Sequence, residues 1–286
     1  MIKYTLPDFT VGLGLNLFFI SLLARRPGWF QDDVTIDSVY GCFPGCSMNG
    51  GRAYIRERTS VGKMDDTFSL LQEHGVKPRL TFTNMLAGQE HLRDRYFNAI
   101  LEVGARHGAE AIVHSDAVGD YIRENFGMNL VLSTTRAIEK VDELNRMVDL
   151  YDFVVLNYNR HKDPAFLLSI EKPQKVEVMV NEFCQHGCPH RQEHYEHNSR
   201  DQLAGVMRPF ECIAKHADFF DHDPGHPVIF TDKEVGDLSE IYGIECYKIV
   251  GRGVAFQTVL ESYVYYLVKP NYRKDVKRLV LRAVDW

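Results

Sequence analysis

One rhythm runs through nearly the whole chain: a short β-branched run, a polar loop, then a segment whose apolar residues recur every three or four positions. That alternation suits parallel strands joined by crossover helices, since parallel neighbours need a long connection. The predicted strands are Ile36–Cys42, Arg79–Thr83, Ala111–His114, Leu130–Ser133, Phe153–Asn157, Val176–Val180, Val228–Thr231 and Glu245–Val250. Between them, Leu92, Tyr96, Ile100, Leu101 and Gly104 line one helix face, and Ile138, Val141, Leu144 and Val148 another. Eight such units over roughly 250 residues match the size of a (β/α)8 barrel. A doubly wound sheet is the alternative. Residues Leu15–Phe30 read as an amphipathic helix ahead of the first strand, placed to plug the barrel bottom. No Gly-, Pro- or Ser-rich linker divides the chain, and no solenoid repeat appears. The expectation is therefore one α/β domain over residues 1–286: an N-terminal capping helix within 1–30, a TIM-like barrel over 31–286, and a cysteine-bearing insertion at about 183–226.

The strand ends point to function. Nearly every predicted strand runs into small polar or ionisable residues: Thr81 and Thr83, His114 to Asp116, Ser133 to Thr135, Asn157, Asn181 and Glu182, Thr231 and Asp232, Lys248 and Arg252. In a barrel these ends converge on one face, where active sites sit. Any one of them can simply cap the next helix, as Asp116 or Ser133 would. Taken together they describe a polar mouth.

The stretch Val176–Tyr195 runs from a buried strand into a cluster of metal-capable side chains. Cys184 and Cys188 frame a short loop, with His186, His190 and His194 within or just after it. Cys42 and Cys46 frame a second loop of the same C-x3-C spacing. Thiolates and imidazoles are the donors that zinc and iron–sulfur clusters require. Six cysteines in 286 residues are too sparse for a disulfide scaffold. No secretory signal is evident, and the apolar run Val11–Ala24 falls short of the roughly 20 residues that span a bilayer. The expected setting is cytoplasmic, without a membrane span, with reduced thiols free to bind metal.

Ile244–Arg252, reading IECYKIVGR, resembles the closing K-I-E-G-R strand of the U32 family, with Val250 where Glu is usual. Glu261-Ser262-Tyr263 follows on the next helix, much as in that family, and Val180–Cys184 resembles its strand ending in a cysteine. Tyr40-Gly41 and Asn49-Gly50-Gly51-Arg52 sit where the family's first strand turns over the mouth. The resemblance covers most of the chain. It implies a TIM-like barrel commonly holding a cysteine-ligated [4Fe–4S] cluster, in a family of oxygen-independent hydroxylases and members named as collagenase-like peptidases. The cysteine spacing after the sixth strand is narrower here than in the family, and Cys42 and Cys46 are additional.

Four thiolates would hold such a cluster. Cys184 and Cys188 fit by their place beyond a buried strand, Cys212 by folding back, and Cys46 by reaching across the mouth, with Cys42 its rival. Cys246 lies inside a strand and reads as packing. A lone cysteine in each case is ordinarily an inert buried thiol. Zinc is the alternative metal: His190 and His194 share a helix face, although H-R-Q-E-H lacks the glutamate placement of H-E-x-x-H. For acid–base work the candidates are Glu182, Asp232 and Lys248. A charged amine at Lys248, if interior, needs a carboxylate partner or an anionic ligand. Arg52 and Arg252 offer planar forks for carboxylate or phosphate, Arg191 adds a third, and Asn49, Asn157 and Asn181 would orient neutral groups.

With 33 basic against 39 acidic residues and a net charge of −6, nothing attracts nucleic acid globally. The basic residues expected at the mouth, Arg52, Arg160, Arg191, Lys233, Lys248 and Arg252, come singly from different loops. That suits a compact small-molecule anion. Three functions follow: an iron–sulfur enzyme performing oxygen-independent hydroxylation or a related modification; a zinc-dependent hydrolase or peptidase; or a non-catalytic iron–sulfur subunit of a heteromer. An electron-donor protein or a heteromeric partner is a candidate associate.

Overall fold

The computed structural model describes residues 1–50, 57–212, 220 and 222–283. Its parallel strands close into a barrel in sequential order: β1 (Ile2–Pro7), β2 (Val34–Gly41), β3 (Lys77–Phe82), β4 (Glu110–Val113), β5 (Leu130–Leu132), β6 (Phe153–Val155), β7 (Val176–Met179) and β8 (Cys246–Lys248). Around it run α1 (Leu13–Arg25), α2 (Val61–Gln72), α3 (Arg95–Arg106), α4 (Asp116–Phe126), α5 (Val141–Leu150), α6 (Pro164–Leu168), α7 (Arg191–Ala204), α8 (Asp232–Tyr242), α9 (Phe256–Leu267) and α10 (Arg273–Ala283). The chain is thus a (β/α)8 TIM barrel. No helix among the described residues is long and apolar enough to cross a membrane.

Local chemistry sets the helix starts. Asp94 accepts a hydrogen bond from the Phe97 N–H at the head of α3, and Thr231 and Glu234 form a reciprocal capping box at the head of α8. The faces expected from sequence are those that pack: Ile100, Leu101, Leu144 and Val148 have no exposure, and Leu92, Tyr96 and Ile138 are buried. Outward-pointing strand residues such as Leu6, Leu80, Val113, Leu132 and Tyr247 join them in a shell between barrel and helices.

Two expectations are corrected. The first strand is Ile2–Pro7, and its register closes the barrel, with Thr5 opposite both Ser38 and Lys248. The helix expected as an N-terminal plug therefore lies after β1, as the first crossover of the ring. The reason lies in the inward face of β1, Lys3 and Thr5: polar residues there read like a solvent face. Conversely, Val228–Thr231 is not a barrel strand. It returns antiparallel beside the end of β7, joined by the Asn181–Ile229 bridge and by Phe230 N–H donating to the Val180 carbonyl at 2.8 Å. Its apolar run is buried against Tyr266, whose hydroxyl donates to the Phe230 carbonyl.

Inside the barrel, near the strand starts, charge replaces packing. Arg79 of β3 donates from Nε to Glu110 at 2.5 Å and from Nη1 to Glu177 at 2.6 Å and to Thr5 Oγ1 at 2.9 Å. Thr5 donates in turn to Glu177, and Ser38 lies 2.9 Å from Thr5. Lys248 Nζ reaches the other oxygen of Glu177 at 3.1 Å. All of these groups are buried. The cations and Thr5 outweigh the cost of burial and hold the Glu177 carboxyl down at about 2. Deleting one member of such a set leaves a buried charge uncompensated, which costs about 3–5 kcal/mol. Arg79→Met is expected to lose stability on that scale in urea denaturation at neutral pH, because Glu110 and Glu177 stay behind.

A second buried titratable group sits in the shell after β6. His161 has no exposure, Nε2 donates to the Leu156 carbonyl at 3.2 Å, and Nδ1 has no hydrogen-bond partner among the described residues. Burial pushes its pKa down to about 4. The folded chain therefore refuses a proton that the unfolded chain accepts below its ordinary 6.5. Stability is full above that value and falls as pH drops toward 4, by roughly 3 kcal/mol in all. Denaturation series between neutral pH and pH 4.5 should show this loss, and His161→Phe should make it smaller.

Candidate active site

Above the ion network the barrel opens into a cavity of about 200 Å³. Tyr40, Ile112, Val155 and Met179, inward-facing residues of β2, β4, β6 and β7, make its apolar lining. Thr81, Thr83, Ser133, Thr134 and Thr135 add hydroxyls from the ends of β3 and β5. The outer wall comes from the excursion after β7: Glu182, Phe183 and Cys184, then Arg191, His194, Tyr195 and Asn198 of α7. Gly50 closes one side, its backbone so near the Thr83 carbonyl that an added Cβ would lie 2.0 Å from that oxygen. Small-molecule sites usually run to about 300–1,000 Å³, so this one favours a compact ligand.

α7 covers the mouth although it has almost no apolar face. It buries Ser199, Asp201 and Gln202. The Ser199 carbonyl accepts from Asn84 Nδ2 at 3.0 Å, Ser199 Oγ accepts from the Met85 N–H at 3.1 Å, and Gln202 Nε2 donates to the Cys46 carbonyl at 2.8 Å. Polar bonds thus dock the helix that brings Arg191, His194, Tyr195 and Asn198 to the wall.

Two charge arrangements face the cavity. In the first, Glu182 is buried, accepts from the Phe183 and Cys184 N–H groups at 3.0 and 3.1 Å, and takes Arg191 Nη2 at 2.9 Å. Arg191 lies 3.9 Å above the Tyr158 ring and 5.0 Å from that of Tyr195, which fixes its plane. Its charge is answered by Glu182. In the second, Lys248 Nζ sits 3.9 Å from the centroid of the Tyr40 ring, and Arg252 lies 5.1 Å from the same ring. Arg252 donates to Thr81 Oγ1 at 2.7 Å and has no carboxylate partner among the described residues. Burial, opposed by Glu177 but reinforced by Arg79 and Arg252, brings the Lys248 amine down to about 8. Between β4 and β5, His114 Nδ1 lies 2.9 Å from Thr135 Oγ1, which donates onward to Ser133. Burial, then Arg136, lowers that imidazole to about 4, so it is neutral at physiological pH.

Of the residues expected at the site, Glu182, Lys248, Arg191, Arg252 and Cys184 meet at this cavity. Others are placed elsewhere. Asp232 accepts from Arg273 at 3.1 Å and lines a separate groove with Ile2 and Gln31, because the segment before it lies outside the barrel. Asn157 turns to Glu139 at 2.6 Å and to the Asn159 N–H. Asn181 is spent on the backbone of Val250, accepting from its N–H at 2.7 Å and donating to its carbonyl at 3.0 Å. Asn49 is buried beside the Cys46 turn. Arg52 lies outside the described residues. Arg160 pairs with Glu139 and Asp163, and Lys233 is an exposed neighbour of Asp237. The sequence reading missed Tyr158, in the turn after β6, and Tyr195 and Asn198, which nothing in the polar run of α7 distinguishes from a solvated face. It also missed Arg79 and Glu177, although Glu177 inside VEVMV was a visible signal.

Four of the six cysteines fall into two pairs. Cys42 and Cys46 influence each other, as do Cys184 and Cys188. Cys46 is embedded in the outer apolar core, and Cys184 is at the cavity wall beside Arg191. Cys212 borders residues that are not described. Among the described residues no group of three or more His, Cys, Asp or Glu side chains is placed to hold a metal ion. His194 stacks on Phe210 at 4.4 Å and His190 stands near Glu193.

Burial separates the thiols by reactivity. Desolvation raises Cys42 to about 11 and Cys246 to about 12, and lifts Cys46 further. Cys184, Cys188 and Cys212 are only partly buried. A thiol-exchange reagent at pH 8 should therefore modify these three in the native protein and the other three only after denaturant. Mass mapping of the labelled peptides checks the order.

The barrel as a whole is similar to the structure of the U32 peptidase Mk0906, at a TM-score of 0.55 and 12% identity over 89% of this chain and 94% of that one. The spore cortex-lytic enzyme SleL of Bacillus cereus aligns at a TM-score of 0.43 and 12% identity, over 93% of this chain and 74% of that one. No protein-family model matches the chain, and no curated protein is similar to it in sequence. At these identities the likeness to the U32 peptidase is one of fold.

Proposed function

We propose that the chain is an enzyme acting on a compact organic anion, a carboxylate or phosphate ester, bound in the barrel mouth. The observation that carries this reading is Arg252: a guanidinium at the cavity, held by Thr81 and the Tyr40 ring, with no carboxylate to answer it among the described residues. Arg191 and Glu182 cancel, and the buried cations Arg79 and Lys248 are balanced by Glu110 and Glu177. Among the described residues, the positive charge at the cavity without a carboxylate partner is that of Arg252. A planar fork anchored on an aromatic face and a hydroxyl is preorganised for a bidentate anion. The threonine and serine hydroxyls then orient the ligand's neutral groups. The neutral His114, 2.9 Å from Thr135 Oγ1, holds that hydroxyl and through it Ser133 in place.

A second reading keeps the metal centre expected from the cysteines. It rests on the proximity of Cys184 and Cys188, with Cys184 at the cavity wall. On this reading an iron–sulfur cluster, or zinc, would serve oxygen-independent hydroxylation or hydrolysis of the same anion. It requires donors beyond that pair.

Thermal-shift and calorimetric titration with phosphate, citrate and 2-oxo acids tests the first reading. One or more of these should stabilise the wild type, and Arg252→Met should weaken binding about ten- to a hundredfold, the worth of one charge-assisted contact. Equal affinity in wild type and variant would overturn it. Iron and zinc analysis of anaerobically purified protein tests the second: about four irons or one zinc per chain, lost in Cys184→Ser, would support it, and metal-free wild type would sink it.

A further inference from the structure

The anion reading leaves Lys248 without a task beyond balancing Glu177, yet its surroundings are unusual for a counter-ion. Its amine lies on the cavity side of the ion network, buried, at the point where the charged lower layer meets the apolar lining of Ile112, Val155 and Met179. Arg79 already holds one oxygen of Glu177 and a second buried carboxylate, Glu110. Arg252 shares the Tyr40 ring with Lys248, so two cations stand side by side at the mouth. A desolvated amine beside another cation gives up its proton readily and becomes a nucleophile.

We propose that Lys248 forms a protonated imine with the carbonyl carbon of a compact 2-oxo acid whose carboxylate is held by Arg252. The proposal rests on the anion reading above and extends it to covalent chemistry. The unprotonated amine attacks the carbonyl carbon, the carbon–oxygen π pair moves to oxygen, and the carbinolamine loses that oxygen as water. Counted from the ammonium, two of its three protons leave with the carbonyl oxygen and one stays on nitrogen. Nothing is oxidised or reduced. The positive charge ends where it began, on nitrogen at position 248, opposite the Glu177 carboxylate 3.1 Å away. The network that holds the ammonium is thus already the counter-ion of the iminium. Apolar walls keep water from reversing the condensation.

The groups facing the amine are Glu177 from β7, Arg79 from β3, Tyr40 from β2 and Arg252 from the loop after β8, with Cys246 two residues back on the same strand. Burial, Arg79 and Arg252 outweigh Glu177 and leave the amine titrating near 8 rather than at 10.5. The reactive fraction therefore grows through pH 8, well below the range of an exposed lysine.

Reductive trapping decides the matter. The full-length protein is incubated with pyruvate and cyanoborohydride between pH 6 and 9, then digested and mapped by mass spectrometry, with dihydroxyacetone phosphate as a parallel arm. The expected result is one reduced adduct on Lys248, with a trapping rate that rises with pH about a midpoint near 8. Lys248→Arg, which keeps the positive charge, should retain anion binding by thermal shift and lose the adduct. A faster adduct from the phosphate arm than from pyruvate would overturn the choice of carboxylate. Pyruvate that shifts the melting temperature but leaves no adduct on Lys248, or adducts spread over exposed lysines, would overturn the imine and leave the anion reading standing. If no anion binds at all, both fall.

Discussion

The ion network around Arg79 and Glu177 decides what kind of barrel this is. Most small barrels fill their lower half with branched apolar side chains. Here a guanidinium, two carboxylates, a hydroxyl pair and an amine take that space. Burying such a set is costly unless every donor and acceptor is matched, so each strand that supplies a member is fixed in register by its partners. Arg79 ties β3 to β4 and β7, and Lys248 ties β8 to β7. The charges needed at the mouth are then inherited from the floor: Lys248 faces the cavity because Glu177 lies beneath it.

The wall above follows a different rule. α7 brings Arg191, His194, Tyr195 and Asn198 to the cavity, yet it is attached by hydrogen bonds through Ser199 and Gln202 rather than by an apolar stripe. A net hydrogen bond is worth about 1 kcal/mol, whereas a buried leucine contributes about 2–3. The floor is rigid and the wall is lightly held, which separates the chemistry of the site from access to it.

What the sequence disclosed follows from the same division. The eightfold rhythm and the faces of α3 and α5 were legible because outward strand residues and inward helix residues are apolar at regular spacing, as Leu80 with Leu101 and Leu132 with Leu144 show. The frame slipped by one strand because β1 carries Lys3 and Thr5 on its inner face, and the Val228–Thr231 run offered a more apolar substitute. Lys248, Glu182, Arg191, Arg252 and Cys184 were legible as cavity-lining residues by position at strand ends or in the loop beyond them. Asp232, Asn157 and Asn181 share that position and were drawn to other work, Asn181 by the Val250 backbone and Asn157 by Glu139. Sequence position puts a side chain at the mouth. Which way it turns depends on partners that only the closed barrel supplies.

Asn181 has a consequence of its own. β8 ends at Lys248, but Asn181 takes over both polar groups of Val250, serving as a side-chain splice where the ladder would otherwise have frayed. The loop that carries Arg252 is therefore anchored to the end of β7, ahead of the excursion that supplies the wall. That excursion can lengthen, shorten or change composition while the cation beneath it stays in place. In a lineage built on this barrel, the residues after Asn181 are free to diversify and the splice itself is not, so new specificities would arise by exchanging the wall over an inherited floor.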